Sequence, residues 1–173
     1  SPYMDSGVNL CPMAKAAECY VPCLKSAGRM GMAYDARLSR TKLYLTNPAE
    51  YFNTLVTEIK AFIKKAERKG LTPLVRLNGT SDIRFENLGF TFDGVYFRNI
   101  FEYFPDLQFY DYTKIPNRFN SMNGLSDFPK NYDLTFSYSG ADGFQKYNDR
   151  ALKAGVRIAA VFDRVENIPV TFH

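Results

Sequence analysis

The chain has 173 residues, 46% hydrophobic and 23% charged, with a net charge of +4. That balance excludes a disordered, collagen-like or coiled-coil chain, and apolar runs broken by charge leave no membrane span of about 20 residues. With a single His, at position 173, a multi-His zinc site is excluded and Ser-His-Asp or Cys-His-Asn catalysis lacks raw material.

Residues 1–31 are punctuated by Pro2, Gly7, Pro12, Pro22, Gly28 and Gly31, which predicts a cysteine-bearing loop with short helical pieces such as 13–19. Residues 1–10 show no basic start followed by an apolar core, so no secretory leader is expected. A helix is predicted over 32–45, with Leu38 and Leu45 on one face. The clearest helix follows at 48–69: Asn47 is the N-cap, Pro48 the first helical residue, and Glu50 sits three residues after the cap. Phe52, Leu55, Val56, Ile59, Phe62, Ile63 and Ala66 recur at helical spacing, and Gly70 ends the element. Strands are predicted at 74–78, 107–112, 133–138 and 156–162. Between them we expect an irregular insertion at 83–95, a short helix at 97–104 stopped by Pro105, a helical turn at 116–122, and a second good helix at 141–154 closed by Gly155.

Strands at roughly 25-residue spacing with helical material between them are βαβ arithmetic. Right-handed crossovers make such strands parallel neighbours, and short apolar strands suit a sheet buried on both faces. The predicted fold class is therefore α/β: a mostly parallel sheet with helical crossovers, open or a partial β/α barrel, preceded by the cysteine-bearing loop. Four strands do not close a barrel of eight. One domain over 1–173 is expected, a loop region at 1–31 and an α/β body at 32–173, with a truncated form among the readings.

Parallel sheets bind ligands at the carboxyl ends of their strands. Here those ends carry Arg76, Asn78, Ser81, Asp82, Asp111, Tyr112, Lys114, Ser137, Ser139, Asp163 and Arg164. Polar strand ends are also what ordinary turns look like. Arg76 stands out, because it lies inside an apolar strand and needs a partner or ligand if buried. From this set Arg76, Asn78, Ser81, Asp82, Tyr112, Lys114 and Ser139 are the candidate cofactor- or substrate-binding residues.

All three cysteines fall in the first 23 residues, as Cys11, Cys19 and Cys23 in a C-x7-C-x3-C spacing. An odd number fits a disulfide framework poorly and a reducing compartment better. Thiolates are soft ligands for iron–sulfur clusters and zinc. Three of them can hold a cluster, most naturally of the four-iron type, with one iron open to a non-protein ligand such as S-adenosylmethionine. Zinc needs a fourth ligand, for which Asp5 and Asp35 are available. Ordinary partly buried thiols are the remaining reading. The spacing differs from the C-x3-C-x2-C of radical S-adenosylmethionine enzymes, although a three-cysteine loop beside a partial barrel is their general arrangement.

The run Cys11-Pro12-Met13-Ala14-Lys15, then Cys19-Tyr20, Cys23 and Gly28-Arg29, resembles a phage-encoded family known as gene product 88-like. So do the strand Val75-Arg76-Leu77-Asn78 leading to Ser81-Asp82, and the strand end Tyr110-Asp111-Tyr112-Thr113-Lys114. The resemblance spans most of the chain, with the cysteine run its most specific part. It implies a viral or prophage origin, hence the host cytoplasm, and a cysteine-bound cofactor. It supplies no substrate.

The expected function is thus an iron–sulfur protein of redox or radical S-adenosylmethionine-like chemistry, acting on a small molecule or with a redox partner. The alternative is a non-enzymatic module binding nucleic acid or a host protein, its cysteines structural, as zinc ligands or free. For nucleic acid the raw material is Lys60, Lys64, Lys65, Arg68 and Lys69, which read more plainly as a solvated, dipole-matched helix end. Asp142 and Asp149 read as surface groups, and neither a P-loop nor a G-x-G-x-x-G run is present.

Overall fold

The computed structural model describes residues 6–20, 23, 32–119 and 128–169. The first helix, α1, spans Tyr34–Thr46 and buries no residue. The second, α2, spans Pro48–Glu67. The Asn47 side chain accepts from the Glu50 backbone N–H at 3.2 Å, so the cap foreseen in the sequence is formed. Phe52, Val56, Ile59 and Ala66 are the buried face of α2.

Strands β1 (Leu74–Val75), β4 (Gln108–Thr113), β5 (Tyr132–Ser137) and β6 (Ile158–Ala159) form one sheet in the order β1-β4-β5-β6. Every pairing in it is parallel: Val75 lies opposite Phe109, Asp111 opposite Leu134, and Phe136 opposite Ile158. The sheet is open, with β1 and β6 at its edges; a barrel is not formed among the described residues. The four-residue helix α3 (Ile100–Tyr103) lies between β1 and β4, and α4 (Gln145–Lys153) between β5 and β6.

Four sequence expectations need correction. β1 stops at Val75 rather than 78, because the Asn78 N–H donates to the Asp111 carboxylate at 2.9 Å instead of to a ladder carbonyl. The segment 83–95 is not irregular throughout. Phe90–Phe92 (β2) and Val95–Phe97 (β3) make an antiparallel hairpin. Its turn is Asp93-Gly94, both at positive φ (49° and 80°), which is the two-residue turn that matches strand twist. Phe97 therefore ends a strand, and the helix begins at Ile100, capped by Asn99 accepting from the Glu102 N–H at 2.9 Å. Finally, the sheet is not covered evenly on both faces. Phe109, Asp111 and Thr113 of β4 are buried while Gln108, Tyr110 and Tyr112 alternate outward.

The core is aromatic, as 15 Phe and 12 Tyr imply. Phe52 stacks on Phe90 at 4.7 Å and Phe101 on Tyr132 at 4.2 Å, fastening α2 to the hairpin and α3 to β5.

Candidate functional site

The backbone around Cys11 to Cys19 folds into consecutive turns, with the Ala14 N–H bonded to Cys11 O and the Cys19 N–H to Ala14 O. Ala14 and Ala17 are buried, and Ala17 belongs to the hydrophobic core of the body. Three bonds fasten this loop to the carboxyl ends of the sheet strands. The Asp82 N–H donates to Leu10 O at 2.7 Å. The Cys11 thiol donates to Thr80 O at 3.4 Å, and the Ser139 hydroxyl donates to Ala17 O at 3.0 Å.

Under the loop lies a cavity of about 210 Å³. Cys11, Cys19 and Cys23 line it, together with Arg76, Asn78, Ser81, Asp82, Tyr112 and Lys114. Six of the seven candidate polar residues thus converge with the three thiols. The seventh, Ser139, is buried and anchors the loop from outside the lining. Asp163 and Arg164 are exposed beyond β6 and do not line the cavity. Asp5 and the Gly28-Arg29 run lie outside the described residues, and Asp35 is exposed on the first turn of α1.

The polar wall is a set of interlocked pairs. Asn78 is fully occupied: its amide nitrogen donates to Asp111 and to Ile83 O, and its carbonyl oxygen accepts from the Ser81 hydroxyl and the Ile83 N–H. Asp111 also faces Arg76 Nε at 3.4 Å. Burial raises the Asp111 carboxyl above its ordinary value, against the bonds from Asn78 and the Arg76 charge. The Arg76 guanidinium lies 5.0 Å over the Tyr112 ring. Asp82 accepts from the Thr113 hydroxyl, the Lys114 N–H and Arg118. Lys114 Nζ donates to Ser137 O, Ser137 Oγ and Tyr138 O at 3.0–3.2 Å.

Arg118 is the residue sequence reasoning missed. It is fully buried, with 2.7 Å ion pairs to Asp82 and Glu86 and a 3.0 Å bond to the Tyr132 hydroxyl. Burial works against its charge, yet Tyr132, Glu86 and Asp82 together raise its pKa. Nothing local marks it, since its partners lie 14 to 36 residues away.

The thiols sit in contrasting fields. Burial pushes Cys11 up to about 12, with smaller contributions from Asp82 and the other two cysteines. Burial also raises Cys19, and the Lys114 charge pulls it back. Burial in turn lowers Lys114. Among the described residues no three His, Cys, Asp or Glu side chains are arranged to hold one metal ion. A single tetrahedral zinc, with bonds of about 2.3 Å, needs sulfurs about 3.8 Å apart. The fit for zinc is therefore not made by these residues. The three cysteines share one cavity, and thiolates are the soft donor type that zinc and iron–sulfur groups use.

Of the basic helix end, Lys60 is engaged over the rings of Phe92 and Tyr103, at 4.6 and 5.1 Å. Lys64 and Lys65 remain exposed in the last turn of α2. Among the described residues no helix is long and apolar enough to cross a membrane.

Fold and site together define an α/β protein with an open parallel sheet and a cysteine-lined cavity at the sheet's carboxyl edge. A family profile described as gene product 88 matches residues 2–172, and the chain belongs to that phage protein family. No curated protein and no solved structure matches it.

Proposed function

We propose that this phage protein holds an iron–sulfur cluster, of the four-iron type, on Cys11, Cys19 and Cys23, and carries out redox or radical chemistry in the host cytoplasm. The observation that carries the reading is the common cavity: three thiols from one loop share it with Arg76, Ser81, Asp82, Tyr112 and Lys114 at the carboxyl ends of parallel strands. When bound, the cluster supplies one-electron reduction and an open iron for a non-protein ligand such as S-adenosylmethionine. The chain's own groups supply the rest. Arg76 and Lys114 offer positive charge to a carboxylate. Ser81 offers a hydroxyl. Tyr112, 39% exposed, gives an aromatic face. Asp82, saturated by Thr113, Lys114 and Arg118, holds the wall in shape rather than meeting the ligand.

One observation favours a second reading. The Cys11 thiol is bonded to a backbone carbonyl and held protonated by burial, as a structural cysteine is. In that reading the chain is a non-enzymatic module for nucleic acid or a host protein.

Anaerobic reconstitution with iron and sulfide separates the two. The cluster reading predicts a brown protein absorbing near ~400 nm, and loss of the colour in Cys19→Ala. It further predicts that Arg76→Ala weakens binding of S-adenosylmethionine while cluster content stays. A colourless protein with stoichiometric zinc, or with no metal, favours the structural module.

A further inference from the structure

The segment 78–83 after β1 does two jobs at once. Asn78 braces it internally, accepting from the Ser81 hydroxyl and the Ile83 N–H. The same segment carries the cysteine loop. The Asp82 N–H donates to Leu10 O at 2.7 Å, and Thr80 O accepts from the Cys11 thiol at 3.4 Å. Asp82 therefore faces two ways: its backbone meets the residue before Cys11, and its carboxylate enters the cage around Arg118.

That cage is closed off from water. The Arg118 side chain is wholly buried, and those of Asp82 and Glu86 are 9% and 7% exposed. Nε and Nη2 of Arg118 close a fork on the two Glu86 oxygens at 3.0 and 2.7 Å, and Nη1 reaches Asp82 at 2.7 Å. Nη2 also donates to the Tyr132 hydroxyl at 3.0 Å. Arg118 stands on the turn Pro116–Arg118, Glu86 on the turn Phe85–Asn87, and Tyr132 at the start of β5. One guanidinium thus ties three parts of the body to the anchor of the cysteine loop.

The Thr113 hydroxyl and the Lys114 N–H also reach the Asp82 carboxylate, but both are neutral donors. Among the described residues its charge is compensated by Arg118. Without that partner a buried carboxylate is left uncompensated. Asp82 also lines the cysteine cavity, so it would be better solvated by turning into that cavity, and its backbone would turn with it.

We propose that Arg118 is the positioning residue of the cysteine site. Acting through Asp82, it fixes the segment on which Leu10 and Cys11 hang, and so sets where the Cys11 sulfur stands. Arg118 does not line the cavity itself, so its part is indirect. That a sulfur so placed ligates iron rests on the cluster reading; the anchoring of the loop does not.

The test is amide NMR of the full chain without added iron. The Asp82 amide proton, in a short bond, should lie downfield in the parent. In Arg118→Met, checked for folding by circular dichroism, it should move upfield and exchange with water fast enough to broaden, and the Cys11 amide signal should shift with it. These signals come from folded molecules, so lowered stability alone moves neither. Glu86→Gln opens the same cage on the side away from the loop and should leave both signals in place. Should Arg118→Met not fold, Asp82→Asn keeps the Arg118–Glu86 fork and should release the amide at position 82 in the same way. Unmoved signals in the folded variant, or equal shifts in Glu86→Gln, overturn the positioning role. Neither iron nor sulfide takes part, so this result is read separately from failure of the cluster reading.

Discussion

Arg118 holds two carboxylates that come from the loop after β1 and the turn at Glu86, so its charge organises the wall behind the cavity. Removing one partner of a buried ion pair costs about 3–5 kcal/mol, because the other is left uncompensated. Arg118→Met should therefore lower the unfolding free energy extrapolated from a urea titration by an amount in that range, and the midpoint with it. A midpoint equal to the parent's would show that the ion cage contributes nothing. Asp111 gives a pH signature. Its folded carboxyl is raised above the ordinary 3.8, chiefly by burial, so the folded state keeps a proton that the unfolded chain releases. The stability this contributes is full at low pH and is lost as pH rises from about 4 through the folded value. Asp111→Asn should lack that slope, so from acid to neutral pH its urea midpoint should gain on the parent's. Parallel pH profiles would contradict this. At this scale Arg76 was legible, since an arginine in an apolar strand demands a partner, and Asp111 is that partner. Arg118 was not, because the reason for its burial lies entirely in distant carboxylates.

Helix α2 was legible because its signals are local: an Asn cap, Pro at the first position, helical apolar spacing and a stop at Gly70 (φ +63°). The hairpin β2–β3 had a local signal too, Asp93-Gly94 between apolar stretches, but 83–95 read as irregular and Phe97 as the start of a helix. Gly94 sits at φ +80° with open space around its Cα, so a side chain there meets only backbone strain. Gly94→Ala should cost about 1–2 kcal/mol, read as a lowered thermal midpoint. An unchanged midpoint would mean that the turn tolerates the left-handed region without glycine. The end of β1 was not legible, since the Asp111 carboxylate captures the Asn78 N–H that the ladder would otherwise use.

Across the molecule, four parallel strands present their carboxyl ends on one edge, and a turn-rich cysteine loop is bonded to that edge through Leu10, Cys11 and Ala17. The parallel order was legible from the recurrence of strands with helices between them. The uneven cover was not, because the period-two pattern of β4 is carried by buried Asp111 and Thr113 rather than by apolar residues. The central claim is that the three cysteines jointly hold a cluster at this edge. Native mass spectrometry of the full chain purified without oxygen reads it most directly. A mass increment of four irons and four sulfides, lost in Cys11→Ala, Cys19→Ala and Cys23→Ala alike, is the predicted result. An apoprotein mass, or an increment that survives loss of any one thiol, would contradict it.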